Sequence, residues 1–280
     1  MNIAFQGTYG AYSEQAVKAY FGTHCHTTPC EHFDEVFDKV AHSECDFGMV
    51  PVENSLAGSI HRNYDLLLRH QLHIVGEEIL RINHQLIALP NVSLTDIKRV
   101  YSHCQALDQC EQQLQRLLPN AEKIQTFDTA GSVRLLLDEQ RTDTAAIASR
   151  QAAELYQLPI LHASIEDDPT NYTRFVALSR YPYLTLSNDI SYKTSLVFAA
   201  PNVPGALFKA LAAFSLRDID LTKIESRPLQ GSPFKYLFYL DFLGNATDTP
   251  VVHAIQHLKE LATLVRILGC YPQADHTVLR

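Results

Sequence analysis

With 280 residues, 46% hydrophobic and 19% charged, the chain has the composition of an ordinary globular protein with room for one large domain or two smaller ones. Its formal net charge of −8 argues against nucleic acid or an anionic membrane as the main partner, so an anionic ligand has to be held by a local site. The N-terminus lacks the basic and apolar regions of a signal peptide, no apolar run approaches the ~20 residues of a membrane helix, and the six cysteines form no CxxC pair; a cytoplasmic protein with reduced thiols is expected.

Residues 2–6 read as a strand that runs into Gly7-Thr8-Tyr9-Gly10-Ala11-Tyr12-Ser13 and a helix to Tyr20. Two glycines there allow backbone to approach a ligand, although a plain tight turn explains them as well. Phe33-Asp34 opens a helix with Val36, Phe37 and Val40 inward. Residues 47–52 then form an apolar run short enough to be a strand buried on both faces. The run breaks into Glu53, Asn54 and Ser55, and after Gly58 an amphipathic helix places Ile60, Tyr64, Leu67 and Leu68 on one face. A buried strand that delivers polar side chains to a helix start suits an anion, because the first amides are unpaired and that end is positive. Capping of the helix by Asn54 or Ser55 is the plainer alternative.

Residues 72–79 and 86–89 are strand-like, and Val100-Tyr101-Ser102-His103 is a short strand with its exit. The following helix has Leu107, Cys110, Leu114, Leu117 and Leu118 on one face. Phe127-Asp128 opens another helix with Val133, Leu136 and Leu137, followed by a strand at 145–148, the exit Ser149-Arg150 and a further helix. This repeats the grammar of residues 33–55 and suggests two similar lobes facing a common cleft. Residues 173–179 read as a strand returning to the first lobe, and 180–191 as a linker. Strands at 194–199, 221–226, 234–242 and 264–268, with helices from Pro204-Gly205 and at 251–261, give βαββαβ, the ferredoxin-like arrangement.

His24-Cys25-His26 with Cys30 and His32 invites a metal, but the cysteine spacing matches no common zinc pattern, and no metal is expected. Walker and Rossmann fingerprints are missing, so no nucleotide cofactor is expected. Polar residues at strand exits remain: Glu53, Asn54, Ser55, Ser102, Gln109, Thr173 and Arg174. One carboxylate, one guanidinium and several neutral hydrogen bonders suit a small polyanion held without a cofactor, with Arg174 on a carboxylate. Singly, each reads more readily as a cap or a satisfied polar group, and only their convergence would be informative.

Val52-Glu53-Asn54-Ser55, Ser102-His103-Cys104-Gln105 with Gln109, Asn171-Tyr172-Thr173-Arg174-Phe175, Gly205-Ala206-Leu207 and Glu225-Ser226-Arg227-Pro228 occur in that order. In these motifs the chain resembles the prephenate dehydratases with a C-terminal ACT regulatory domain, over essentially all residues from Asn2 to Gly269. The resemblance implies a two-lobed, periplasmic-binding-protein-like α/β catalytic domain at 1–180 (lobes 1–80 plus 165–180, and 81–164) and an ACT domain at 193–270. It implies conversion of prephenate to phenylpyruvate, water and carbon dioxide, without a cofactor. L-phenylalanine would be the feedback inhibitor, in a homo-oligomer that is a dimer or a tetramer built as a dimer of dimers. Thr173 is the residue it marks as essential, with Glu53, Asn54, Ser102, Gln109 and Arg174 lining the pocket. Asn202, Val203, Gly205, Ala206, Leu207, Glu225, Ser226 and Arg227 would bind the effector, the Gly205 turn leaving amides free for its carboxylate.

Loss of carbon dioxide makes the ring aromatic, and a proton or hydrogen bond to the departing hydroxyl lowers the barrier. Thr173 is expected to donate that hydrogen bond through a polarising network, with a buried, protonated Glu53 as the rival acid. Two departures stand out: Cys104 replaces a frequent proline and brings a thiol toward the site, and Ala57 replaces a frequent glycine. Residues 58–75 also resemble arogenate dehydratases, which act on the transaminated analogue. A non-catalytic amino-acid-sensing protein shares the two-lobed shape. No fused chorismate mutase is expected, since no helical segment precedes Asn2.

Overall fold

The computed structural model describes residues 1–183, 190–229 and 236–274, so half of the expected linker and the start of the 234–242 strand lie outside the described residues. The chain divides into two compact units, Met1–Leu66 with Glu78–Val176, and Leu67–Glu77 with Ala177–Arg280.

In chain order the elements begin with β1 (Asn2–Gln6), α1 (Tyr12–Phe21), β2 (His26–Cys30), α2 (Phe33–Ala41), β3 (Phe47–Asn54), β4 (Gly58–Ser59), α3 (His61–Arg69) and β5 (His73–Arg81). Then come β6 (Gln85–Ala88), β7 (Arg99–Ser102), α4 (Cys104–Gln109), α5 (Glu111–Leu117), β8 (Glu122–Gln125), α6 (Thr129–Glu139), β9 (Thr144–Ala148), α7 (Arg150–Tyr156), β10 (Ile160–His162) and β11 (Tyr172–Ser179). They build two sheets, β2-β1-β3-β11-β5 with β4 on β3, and β10-β6-β9-β7-β8.

The suspected duplication is present in the topology. In each sheet the first strand of a βαβαβ run lies between the other two: β2-β1-β3 in one, β8-β7-β9 in the other, all in parallel. Met49 and Val50 on β3, and Ala145, Ala146 and Ile147 on β9, are fully buried, as central parallel strands require. The chain crosses between these sheets twice, and the crossings run side by side. The Ile82 amide donates to the Asn171 carbonyl (2.8 Å) and the Ile165 amide to the His84 carbonyl (2.9 Å).

Three local expectations change. The two-residue strand β4 pairs back on Glu53 and Asn54, so β3 enters a hairpin before α3 instead of leading straight to the helix start. On α3 the buried residues are Asn63, Tyr64, Leu66 and Leu67, and the Asn63 side chain donates to the Pro51 carbonyl (2.7 Å), while Ile60 and Leu68 are half-buried. The single helix expected after Ser102 is two short ones that meet at the buried Cys110.

The second unit contains β12 (Tyr192–Ala199), α8 (Ala206–Ser215), β13 (Leu221–Pro228), β14 (Tyr236–Leu243), α9 (Thr249–Leu261) and β15 (Leu264–Pro272). The sheet order β13-β14-β12-β15, antiparallel throughout, is that of the expected βαββαβ fold. Leu240 and Phe242 of β14 pack with Phe214 of α8 and Leu258 of α9 in one core. Residues 67–77 belong here for identifiable reasons. Arg266 donates to the carbonyls of Leu68, His70 and Leu72, Gly269 passes too close to Ile74 for any side chain, and Lys193 Nζ meets Glu77 Oε1 at 2.6 Å. Among the described residues no helix is long and apolar enough to cross a membrane.

Candidate active site

A cavity of about 360 Å³ lies within the first unit. Its wall takes Gly7 beyond β1, Asn54 at the end of β3, Thr173 on β11, and Ile82 and His84 from a crossing. Tyr12 and Ser13 at the start of α1, His103 at the start of α4 and Thr129 at the start of α6 complete it. No side chain caps α1, so its first amides have no side-chain acceptor, although the buried Glu14 carboxylate of the same turn takes the Gly10 amide (2.7 Å). Phe33, Phe127 and Phe175 add apolar surface for a ring.

One hydrogen-bonded chain crosses this wall, and its polarity follows from a fixed end. The amides of Leu56 and Ala57 donate to Asn54 Oδ1 (3.1 and 2.9 Å), which defines which end of the amide is oxygen. Asn54 Nδ2 therefore donates, to Thr173 Oγ1 (2.9 Å) and to Asn171 Oδ1 (2.7 Å). Thr173, as acceptor, keeps its own hydrogen for the cavity. Asn171 Nδ2 in turn donates to Gln109 Oε1 (2.9 Å), so His84 Nε2, 3.1 Å from the same oxygen, must carry a proton. Burial pushes the His84 pKa down, partly opposed by the Gln109 bond, and its Nδ1 lies 2.9 Å from the Tyr12 hydroxyl, which also donates to the Asn83 carbonyl (2.9 Å). Glu166 braces this segment, accepting from the His84 amide and from Asn83 Nδ2 (both 2.9 Å).

Of the six residues expected in the pocket, Asn54, Gln109 and Thr173 are brought together. Ser102 does not reach the cavity: it is fully buried and its Oγ donates to the Ile147 carbonyl (2.7 Å), while its neighbour His103 lines the wall. Glu53 and Arg174 also lie off the wall, paired with each other at 3.4 Å. The reason is the strand pleat, since successive residues point to opposite faces and Asn54 and Thr173 already face inward. Cys104 is likewise off the wall, its Sγ 3.9 Å from the His103 ring nitrogens. Ala57 contributes its amide to the Asn54 turn.

The glycine loop does two jobs. Gly7 lines the cavity, but the close approach at Gly10 is to protein: at φ +89° a Cβ there would stand 2.9 Å from Ala152 Cα, and Ser149 Oγ donates to the Gly10 carbonyl (2.7 Å). His24, Cys25, His26 and Cys30 do not gather as ligands. Cys25 Sγ donates to the Gly22 carbonyl, and burial pushes the Cys30 thiol up to about 11. Among the described residues the ligand types that do group are the exposed Glu31, His32 and Glu35.

Tyr12, His84, His103 and Asp128 on the wall, and the linking Asn171, are not among the site residues expected from sequence, although His103 and Asn171 stand inside the motifs that carry the resemblance. Asn171 carried a signal, since it stands two residues before Thr173 and so shares its face. His84 carried none. In the second unit, Gly205 begins α8 at φ +76°, but the Ala206 amide is taken by the Val203 carbonyl (3.2 Å) and the Val203 amide by Pro201 (2.9 Å). Fewer amides are free there than expected. Asn202 and Val203 are exposed in the preceding loop, Leu207 lies in the first turn of α8, and Glu225, Ser226 and Arg227 lie on β13 at the sheet edge.

Comparison with known proteins gives this geometry a context. A family model described as prephenate dehydratase matches residues 3–182. The chain is 48% identical over 289 residues to arogenate dehydratase/prephenate dehydratase 2, chloroplastic, of Arabidopsis thaliana, covering 100% of this chain and 74% of that protein. It is also 48% identical to arogenate dehydratase 2 of Petunia hybrida, over 97% of this chain and 72% of that one. Among solved structures, prephenate dehydratase of Arthrobacter aurescens in complex with L-Phe superposes with a TM-score of 0.89 at 33% identity, over 97% of this chain and 90% of that one. A protein described as GqqA, a novel type of quorum quenching acylase, superposes at 0.91 with 34% identity, over 99% and 100%.

Proposed function

The chain belongs to the prephenate dehydratase family, and from that premise we infer that its cavity converts prephenate to phenylpyruvate, water and carbon dioxide, with arogenate to L-phenylalanine as the parallel reaction. The ring carboxylate leaves as carbon dioxide and its bonding pair enters the ring. The pair of the opposite carbon–oxygen bond departs with the hydroxyl, which takes up a proton and leaves as water. The observation that carries this reading is the 2.9 Å bond from Asn54 to Thr173, which leaves the threonine hydrogen for the departing oxygen.

With no lysine or arginine on the wall among the described residues, the substrate carboxylates rest on neutral donors: the α1 amides, the Gln109 Nε2 hydrogens and the His103 ring. Thr173 is favoured over Glu53 as donor because it is on the wall and Glu53 is paired with Arg174 elsewhere.

The reading extends to the second unit as an ACT regulatory domain at residues 193–270, after a catalytic domain at 1–180 with the lobes expected from sequence. Its βαββαβ topology and the L-Phe held by the Arthrobacter aurescens relative support this. L-phenylalanine would bind at Asn202, Val203, Gly205–Leu207 and Glu225–Arg227, between paired copies in a dimer or a dimer of dimers. The edge position of β13 supports such pairing. A cytoplasmic location fits the six free thiols, and fractionation tests it against the plastid of the Arabidopsis relative. The function is tested by supplying prephenate or arogenate, assaying phenylpyruvate or phenylalanine, and repeating with added L-phenylalanine. Formation of neither product rejects it.

A further inference from the structure

We propose that Asp128 reads the α-ammonium group of arogenate and makes this cavity prefer the amino substrate to the keto acid. The proposal rests on the dehydratase reading and adds the residue that chooses between its two substrates. Among the described residues Asp128 is the one carboxylate on the wall, and no lysine or arginine accompanies it.

As N-cap of α6, Asp128 uses one oxygen: Oδ1 accepts from the Gly131 amide and from Thr8 Oγ1 (3.3 Å). A cap needs an acceptor but no charge, and the neighbouring α7 is capped by the neutral Ser149, whose Oγ accepts from the Ala152 amide (3.0 Å). The negative charge is thus surplus to the cap. No partner for Oδ2 is found among the described residues, and the rings of Phe33 and Phe127 line the same cavity.

Prephenate brings two carboxylates into a cavity that already holds Asp128 and, among the described residues, no lysine or arginine, so like charges share it. Arogenate brings the same two carboxylates and an ammonium. Set against Oδ2, the ammonium donates a charge-assisted hydrogen bond and removes the repulsion. The same carboxylate therefore works in opposite directions on the two substrates.

The test is kcat/KM of the full chain for both substrates, in the wild type, D128N and D128S. Asn and Ser both keep a cap acceptor. In both variants kcat/KM is expected to fall about ten-fold for arogenate and to rise several-fold for prephenate, moving the ratio by about ten- to a hundred-fold. Equal losses on both substrates would assign Asp128 to the helix cap alone and overturn the proposal, as would an unchanged ratio; the dehydratase reading survives either result. Wild-type protein that turns over neither substrate overturns both.

Discussion

Asn54 Nδ2 lies 2.9 Å from Thr173 Oγ1, and the two amides on Asn54 Oδ1 dictate that the asparagine is the donor. The hydroxyl proton of Thr173 is thereby aimed away from β3. Asn54→Asp keeps the shape and the turn but offers an acceptor, which draws that proton back to the strand. We expect kcat to fall by about 10²–10³, the range for losing one transition-state donor, with KM changed far less. Steady-state kinetics with a melting curve checks this, and an equal change in both constants would point to ground-state binding instead.

Glu53 pairs with Arg174 on the face of the sheet away from the cavity, and its side chain is 38% exposed. Glu53→Gln should keep kcat/KM within about three-fold, the exposure limiting the pair to about 1 kcal/mol of stability. A loss of 10² or more, together with disappearance of an acid limb from the pH–rate profile, would make Glu53 the acid.

His84 is held neutral by burial, so the folded state binds its proton less readily than an unfolded histidine of pKa about 6.5. The unfolded state then takes up more protons as the pH drops, and the contribution of this group is full above about pH 6.5 and lost progressively below it. Melting temperatures between pH 7.5 and 5.5 should fall more steeply for the wild type than for H84Q. Parallel slopes would mean that the buried ring does not govern the acid limb.

Much of this architecture is written in local patterns. The runs at 47–52 and 145–148 are apolar because central parallel strands are covered on both faces, and both are strands. Glu122–Gln125 went unseen because an edge strand with one apolar residue, Ile124, carries little pattern; its partner β7 holds it in place. The site was half legible. Motifs located Asn54, Gln109 and Thr173, yet only the pleat separates Asn54 from Glu53 and Thr173 from Arg174. His84 joins the wall through burial and two partners distant in sequence, which no window on residues 80–90 contains.

Lys193 and Glu77 form an ion pair with side chains 4% and 0% exposed. Lys193→Met removes the ammonium that meets the buried Glu77 and should cost about 3–5 kcal/mol, whereas Lys193→Met with Glu77→Leu should recover most of that. Chemical denaturation of the single and double variants measures the difference. If the double variant is as unstable as the single, packing outweighs charge here.

The most direct test of the account is turnover by Thr173→Val beside Thr173→Ser. Valine keeps the shape and loses the hydroxyl; serine keeps it. The account predicts that the valine variant loses 10²–10⁴ in kcat while the serine variant retains a substantial fraction, both still binding substrate. A valine variant turning over at near the wild-type rate would contradict it.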